Sequence, residues 1–411
     1  MHLITLARAA LCCLALFLAA APAAARSVSP EQIEDQFLGA MAELQAGRPG
    51  PAAIALRKIL AADPSLVRVR LELARAYFVM RAWEDARREF VAVLSGALPE
   101  EVRRNVMGFL SQIDARRGFD WSLTAAFSPN IANTRDYVTD EAQVTLGGQR
   151  LTFRMSRREP PPFTLDINGA AELRRNIKPL NGIGLVAYGG GFFALSDAPG
   201  TTDDKHSGGL RAGMRAIWPR MTASAGLRAT HRRAYGDDYE TRIGAEFGVD
   251  RRFSDGLSVF ATAGADILDA HDRQDRDGTA AKARVGLSRA FGGRGALGVA
   301  LGINHESAAV DFLSFDELRA EIFGYADLGY GVRADGTLFA THLLFGDVQA
   351  PFVTSRRETE FGGDVTFTKQ DLVVMDIFTP FVKVGASRRR SSIAAFGYDE
   401  LRLGIGVTRA F

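Results

Sequence analysis

From Pro30 to about Arg117 the apolar residues recur three and four positions apart, the period of a stripe along a helix. Ile54, Leu56, Ile59 and Leu60 form one such group, and Leu71, Leu73, Ala74, Tyr77 and Phe78 a second. Pro64 and Pro99 interrupt the run at a separation near one repeat length. Ala86, Phe90 and Leu94 follow Ala52, Leu56 and Leu60 by 34 residues, an offset used by helix-turn-helix repeats. About two repeats and a final helix from Glu100 to Arg116 fit the space. Helical hairpins with coincidental spacing are the competing reading, and the repeat period favours repeats. Such repeats bind partner segments in a concave groove, so the pattern implies a partner without naming one.

From Asp120 onward the period changes to two. Met221, Ala223, Ala225, Leu227 and Ala229 alternate with Thr222, Ser224, Gly226, Arg228 and Thr230. Ile243, Ala245, Phe247 and Val249 do the same, as do Ala283, Val285 and Leu287. One face of each strand is therefore apolar and the other polar or small, which also suits a soluble sandwich. The spacing of the strands decides between the two. Fourteen are predicted, starting near Trp121, Thr164, Gly184, Gly208, Thr222, Arg242, Leu257, Ala281, Ala296, Leu318, Thr337, Glu360, Phe381 and Glu400. Short connections at Trp218–Arg220, Ser254–Gly256, Gly292–Arg294 and Arg333–Gly336 alternate with longer polar ones. The longer ones are Ser196–His206, Ala270–Thr279, His305–Phe315, Asp347–Thr359 and Ser387–Tyr398. An even strand count with alternating loop lengths is the pattern of an outer-membrane barrel, with short turns on the periplasmic side.

The last predicted strand places Leu401, Leu403, Ile405, Val407 and Phe411 on one face. This pattern resembles the terminal signal read by the bacterial barrel-insertion machinery, an expected partner through Phe411. An even count returns the chain to its starting side, so the helical domain and the C-terminus are expected in the periplasm. Asp203–Lys205 and Asp269–Asp277 then face outside, where they could contact lipopolysaccharide, although a hydrated loop is the simpler reading.

Composition changes this picture little. Mean hydropathy of −0.02, 24% charged residues and a net charge of +2 look soluble, because only alternate barrel residues face lipid. The N-terminus matters more. Arg8, an apolar run from Ala9 to Ala21 and small residues before Arg26 predict a signal peptide at residues 1–25, cleaved after Ala25. The run is too short to span a bilayer as a helix. Cys12 and Cys13 both lie inside it, so the mature chain is expected to hold no thiol. The domain reading is thus signal peptide 1–25, helical domain 26–118 and barrel 119–411.

Chemistry-bearing motifs are sparse, and the expectation is no enzyme, no catalytic or cofactor-binding residues, no metal and no nucleic-acid partner. His206, His231, His271, His305 and His342 are isolated in sequence, and none is spaced as a helix-borne metal pair. Ser207-Gly208-Gly209 and Ser391-Ser392 lack the glycines of a nucleophile elbow. A hydrolase assembled from distant residues stays open, since a triad is set by geometry. Gly182–Gly184 and Gly189–Gly191 precede no predicted helix, so crowded strand faces explain them better than a phosphate loop. The inward polar set is rich in arginine, including Arg211, Arg215, Arg228, Arg242, Arg284 and Arg402. Such a lining fits a water path, anion preference or a salt-bridged plug.

Leu71, Ala74, Tyr77, Ala86, Phe90 and Pro99 loosely resemble the tetratricopeptide signature. At the join of the two regions, Phe119-Asp120-Trp121-Ser122-Leu123 leads to Ser128-Pro129-Asn130-Ile131-Ala132-Asn133-Thr134, and later to Val144–Leu151. An N-I-x-N segment after a first barrel strand, followed by this glycine-containing apolar segment, resembles the surface lipoprotein assembly modifier (Slam) family. The resemblance implies a periplasmic tetratricopeptide domain joined to a fourteen-strand barrel. It also implies delivery of client proteins, surface lipoproteins or secreted proteins, from periplasm to exterior. The Asn130–Leu151 segment would line or obstruct the barrel mouth. A repeat-plus-barrel polysaccharide exporter and a passive porin are the rival functions.

Overall fold

The computed structural model describes residues 29–94, parts of 102–113, and 118–410 apart from the connecting positions 130–133, 147, 157–162, 181–182, 200–203, 235–236, 254–255, 272, 292–293, 371, 373 and 375–377. The expected signal peptide, Pro99, the Asn130–Asn133 stretch and Phe411 lie outside the described residues.

Four helices open the fold: α1 (Pro30–Gln45), α2 (Pro49–Ala62), α3 (Val67–Val79) and α4 (Trp83–Leu94). Helical residues follow within 102–113. A capping box starts α1. Ser29 Oγ accepts from the Gln32 amide at 3.3 Å, while Gln32 Oε1 accepts from the Ser29 amide at 3.2 Å. Its C-terminus closes with Gly47 at φ 72° and the Arg48 amide bonded to the Glu43 carbonyl, a Schellman arrangement. One apolar cluster joins α1, α2 and α3 through Phe37, Leu56, Ile59 and Leu73. A second joins α3, α4 and the following helical residues through Ala74, Phe90, Val106 and Ile113. Burial repeats at the 34-residue offset, at Ala40 and Ala74, Ala52 and Ala86, and Leu56 and Phe90. Ile54, expected in the apolar stripe, is instead 56% exposed, because the buried face of α2 runs through Ala52, Ala53, Leu56 and Ile59.

The strands then close a barrel. β1 (Phe119–Pro129) pairs with both β5 (Phe163–Leu180) and β17 (Tyr398–Ala410). The remaining staves follow in chain order, all antiparallel: β6 (Ile183–Asp197), β7 (Lys205–Ile217), β8 (Met221–Ala234), β9 (Asp237–Arg252), β10 (Leu257–Ala270), β11 (Gly278–Phe291), β12 (Gly295–Ala308), β13 (Phe315–Gly329), β14 (Val332–Phe345), β15 (Arg357–Lys369) and β16 (Thr379–Ser391). Fourteen staves form the ring, as predicted. Closure leaves no free edge between staves. Between β1 and β5 lie three further strands: β2 (Thr134–Tyr137), β3 (Glu141–Leu146) and β4 (Gln149–Arg154). β1 meets β17 as far as Phe127 opposite Ile405, and β2 continues that seam from Thr134 opposite Leu401. β3 and β4 form a separate hairpin. The Asn130–Leu151 segment thus holds strand structure that extends the seam of the barrel.

One predicted turn is misplaced. Arg333–Gly336 lies inside β14, and the reversal falls at Tyr330-Gly331, where φ is 50° and 67°. Two consecutive residues at positive φ make a tight hairpin turn whose twist matches the strands. Residues 370–378 also form a longer connection at the helix-bearing end than the expected pattern of short turns allows.

Alternate residues face opposite ways along each stave. Leu210, Leu227, Ile243, Ile267 and Ile303 point out and are at least 60% exposed. Arg211, Arg228, Arg242 and Asp266 point in. A closed antiparallel barrel with an outward apolar band is the architecture of Gram-negative outer-membrane proteins, since every strand amide is paired within the sheet. Among the described residues no helix is long and apolar enough to cross a membrane.

Candidate functional site

The inward face carries a belt of ion pairs fixed by cross-strand register. Glu172 on β5 receives Arg174 at 2.5 Å, Arg211 at 2.8 Å and Arg215 at 3.9 Å. Arg228 on β8 reaches across to Asp266 on β10, with Nε 2.9 Å from Oδ1. Glu240, 1% exposed, gathers Arg242 at 2.7 Å, Arg232 at 2.9 Å and Arg276 at 3.3 Å, and Arg242 also meets Glu306 at 3.1 Å. Glu321 receives Arg319 at 2.6 Å and Arg284 at 2.7 Å. On the other side of the ring Arg389 joins Glu358 and Glu360, while Glu400 takes Arg402 and the seam residue Arg135. All six arginines expected to face inward do so, and each is held by a carboxylate.

Part of this lining encloses a cavity of about 530 Å³. Six cations reach it, Arg211, Arg215, Arg228, Lys282, Arg284 and Arg319, against the carboxylates Glu172, Glu246 and Glu317. Tyr188 packs over the small strand faces here. A Cβ on Gly226 would meet the Tyr188 hydroxyl at 2.4 Å, and one on Gly190 would meet the Ala171 carbonyl at 2.2 Å. The glycines of β6 and β8 therefore permit close packing, as the sequence implied.

The helices meet the barrel at a buried charge cluster. Arg70 on α3 donates from Nη1 to Glu89 on α4 at 2.8 Å and from Nη2 to Asp327 on β13 at 3.2 Å, with all three side chains at most 12% exposed. Arg70 Nη2 also bonds the Pro64 carbonyl at 3.1 Å. Asp327 has the inward parity of Arg319 and Glu321, so Arg70 reaches a lumen-facing group and the helical domain sits at the barrel mouth. Arg294, in the β11–β12 turn, adds a partly exposed contact to Asp63 at 3.5 Å. Sequence periodicity carries no trace of this joint.

Strand register brings together two histidines that are isolated in sequence. His231 and His271 come together around Thr241, whose hydroxyl lies 3.0 Å from His231 Nδ1 and 2.9 Å from His271 Nε2. Helix spacing rules miss this pair because strand register, not local spacing, assembles it. Among the described residues no three His, Cys, Asp or Glu side chains are placed to hold a metal. Ser207 lies in β7, and Ser392 follows β16 with its hydroxyl 2.9 Å from the Ser355 carbonyl.

No protein-family model and no curated protein matches the chain by sequence. Solved structures resemble it distantly. The outer membrane channel DcaP of Acinetobacter baumannii is 9% identical over 72% of this chain and 98% of that one, with a TM-score of 0.38. A loop L8 deletion mutant of OmpT, an outer membrane protein of Vibrio cholerae, is 9% identical over 71% and 98%, at 0.37. A bacterial polysaccharide outer membrane secretin is 10% identical over 72% and 99%, also at 0.37. Likeness of this degree assigns no role to any residue.

Proposed function

We propose that this protein is an outer-membrane translocator that helps deliver client proteins, surface lipoproteins or secreted proteins, from the periplasm to the cell surface. In this reading residues 26–118 form the periplasmic receiving domain, with tetratricopeptide-like repeats of the kind found in the Slam family, and residues 119–411 the barrel. The observation that carries it is the Arg70–Glu89–Asp327 joint, which ties the helical domain to a lumen-facing residue at the barrel mouth. A passive pore has no use for such a domain. Barrel-insertion machinery acting on the C-terminal strand and Phe411 is the assembly partner.

A selective pore is the second reading, favoured by the six cations that line the 530 Å³ cavity. A surface proteome of cells with and without the gene, paired with total protein levels, separates them. Loss of one or a few proteins from the surface, with retention in the periplasm, supports translocation. Unchanged display with lower uptake of anionic solutes, or less surface polysaccharide, overturns it in favour of a pore or a sugar exporter.

A further inference from the structure

The five histidines of the barrel fall on one ring. His206, His231, His271, His305 and His342 all stand at the end of the barrel opposite the helices and all have the outward parity. The exposed apolar residues Leu210, Leu227, Ile267, Ile303 and Leu338 lie just below them on the same face. The ring therefore marks the distal limit of the lipid-facing band, the level at which barrels carry amphipathic side chains. It is densest on β7–β10, where His231 and His271 share Thr241 and their rings are 5.8 Å apart. His206 lies across from Arg233, which pairs with Asp238 at 2.9 Å; the same Asp238 oxygen lies 3.5 Å from His231 Nε2, and Asp269 faces the cluster beside Thr241.

Below this cluster the outward wall is indented by an apolar groove of about 780 Å³. Its floor follows direct register partners from β1 to β8: Trp121, Ala171, Gly191, Leu210 and Ala229. A parallel row ends at His231, next to Gly208 and Phe193. Small residues open the groove, and the Phe193 ring lies over Gly169, where a Cβ would come within 2.5 Å. Five adjacent staves at the usual spacing make the groove roughly 20 Å long, the length of an extended acyl chain. Staves in a closed barrel tilt by about 35–45°. The row therefore climbs obliquely through the membrane, from Trp121 near the helix-bearing end to His231 at the distal rim.

We propose that the groove and the histidine cluster form one site for a membrane lipid whose headgroup ends in a phosphate monoester, as lipid A does and phosphatidylcholine does not. The acyl chain lies in the groove, and the phosphate accepts hydrogen bonds from His206 and from Nδ1 of His271, while His231 is held between Thr241 and Asp238 and positions the pair. Apolar groove and imidazole donors match the two ends of such a lipid in the order in which the bilayer presents them. The site goes beyond the transport reading and does not rest on it.

The test uses the full chain in nanodiscs of phosphatidylcholine doped with lipid A, followed by mild delipidation and native mass spectrometry. Lipid A is expected to remain bound at one per barrel. Retention should fall at least tenfold in Ala229→Trp, which fills the groove, and in the His206→Gln/His271→Gln pair, with barrel folding checked by heat-modifiable gel mobility. A second arm adds inorganic phosphate, which should not displace the lipid. Equal retention of phosphatidylcholine, retention unchanged in both variants, or displacement by free phosphate would overturn the proposal.

Discussion

Arg81 occupies a backbone position that its counterpart one repeat earlier gives to glycine. Gly47 and Arg81 are 34 residues apart, and both sit in the left-handed region, at φ 72° and 61°, just past a helix end. The Ala82 amide bonds the Tyr77 carbonyl as the Arg48 amide bonds that of Glu43, so the same cap is built twice. A side chain there costs roughly 1–2 kcal/mol, which glycine avoids. Arg81→Gly is therefore expected to raise the stability of the helical domain by about 1 kcal/mol, read as a higher helix melting temperature by circular dichroism. Asp85 offers a pH-dependent counterpart. Burial pushes its carboxyl above the ordinary value, and the adjacent Arg88 only partly offsets this, with Glu89 adding to the rise. The folded state thus holds the proton more tightly than the unfolded one. The stabilisation is complete below the unfolded pKa and is lost as pH rises through the folded one. Helix melting of the wild-type chain should drop over that acid window, and Asp85→Asn should flatten the slope. An unchanged slope in the variant would assign the dependence to other groups.

At the scale of elements, the staves were largely legible because each obeys two rules at once, alternation and a polar ending. Leu257 starts β10 as predicted, while the predicted starts Arg242 and Thr337 lie inside strands that begin at Asp237 and Val332. Both strands start earlier for one reason. The first residues of β9 and β14 are charged, as in Asp238, Glu240, Arg333 and Asp335, and charge in a sequence reads as a loop. In the barrel these groups satisfy one another, as Arg333 does with Asp335 at 2.9 Å, so the strand continues through them. Alternation also oriented the arginines, because the side-chain period is two and one register fixes every face. It could not show which carboxylate each arginine meets. Arg228 and Asp266 are two staves apart, and their pairing depends on Gly244 in the intervening β9, where a Cβ would collide with the Asp266 carboxylate. The histidine ring escaped the sequence for the same reason. Its members are separated by tens of residues and are assembled only when the staves are laid side by side.

Among the described residues the helices are tied to the barrel at a buried joint that no local pattern announces, since Arg70 and Asp327 are 257 residues apart. Its energetics are those of a buried ion cluster, in which Arg70 bridges two carboxylates, Arg88 lies 3.7 Å from Glu89, and Asp327 Oδ1 finds no hydrogen-bond partner. Removing the cation leaves Glu89 and Asp327 facing each other in a site from which water is excluded, at a cost of about 3–5 kcal/mol. Replacing all three groups with apolar side chains of similar volume removes the charges together and is close to neutral on the same principle. Arg70→Ala should therefore release the helices from the mouth without unfolding the barrel, whose hydrogen bonds are closed within the ring. Protease added to the full chain in detergent should cut between the helices and β1 in Arg70→Ala and spare the wild type and the Arg70→Met/Glu89→Leu/Asp327→Leu variant. Because Asp327 faces the lumen, release should also widen the path to the cavity. Single-channel conductance in planar bilayers is expected to rise in Arg70→Ala and to stay at the wild-type level in the triple variant. A rise in both would trace the effect to the lost charge at the mouth and not to undocking, and a rise in neither would place the helices clear of the conducting path.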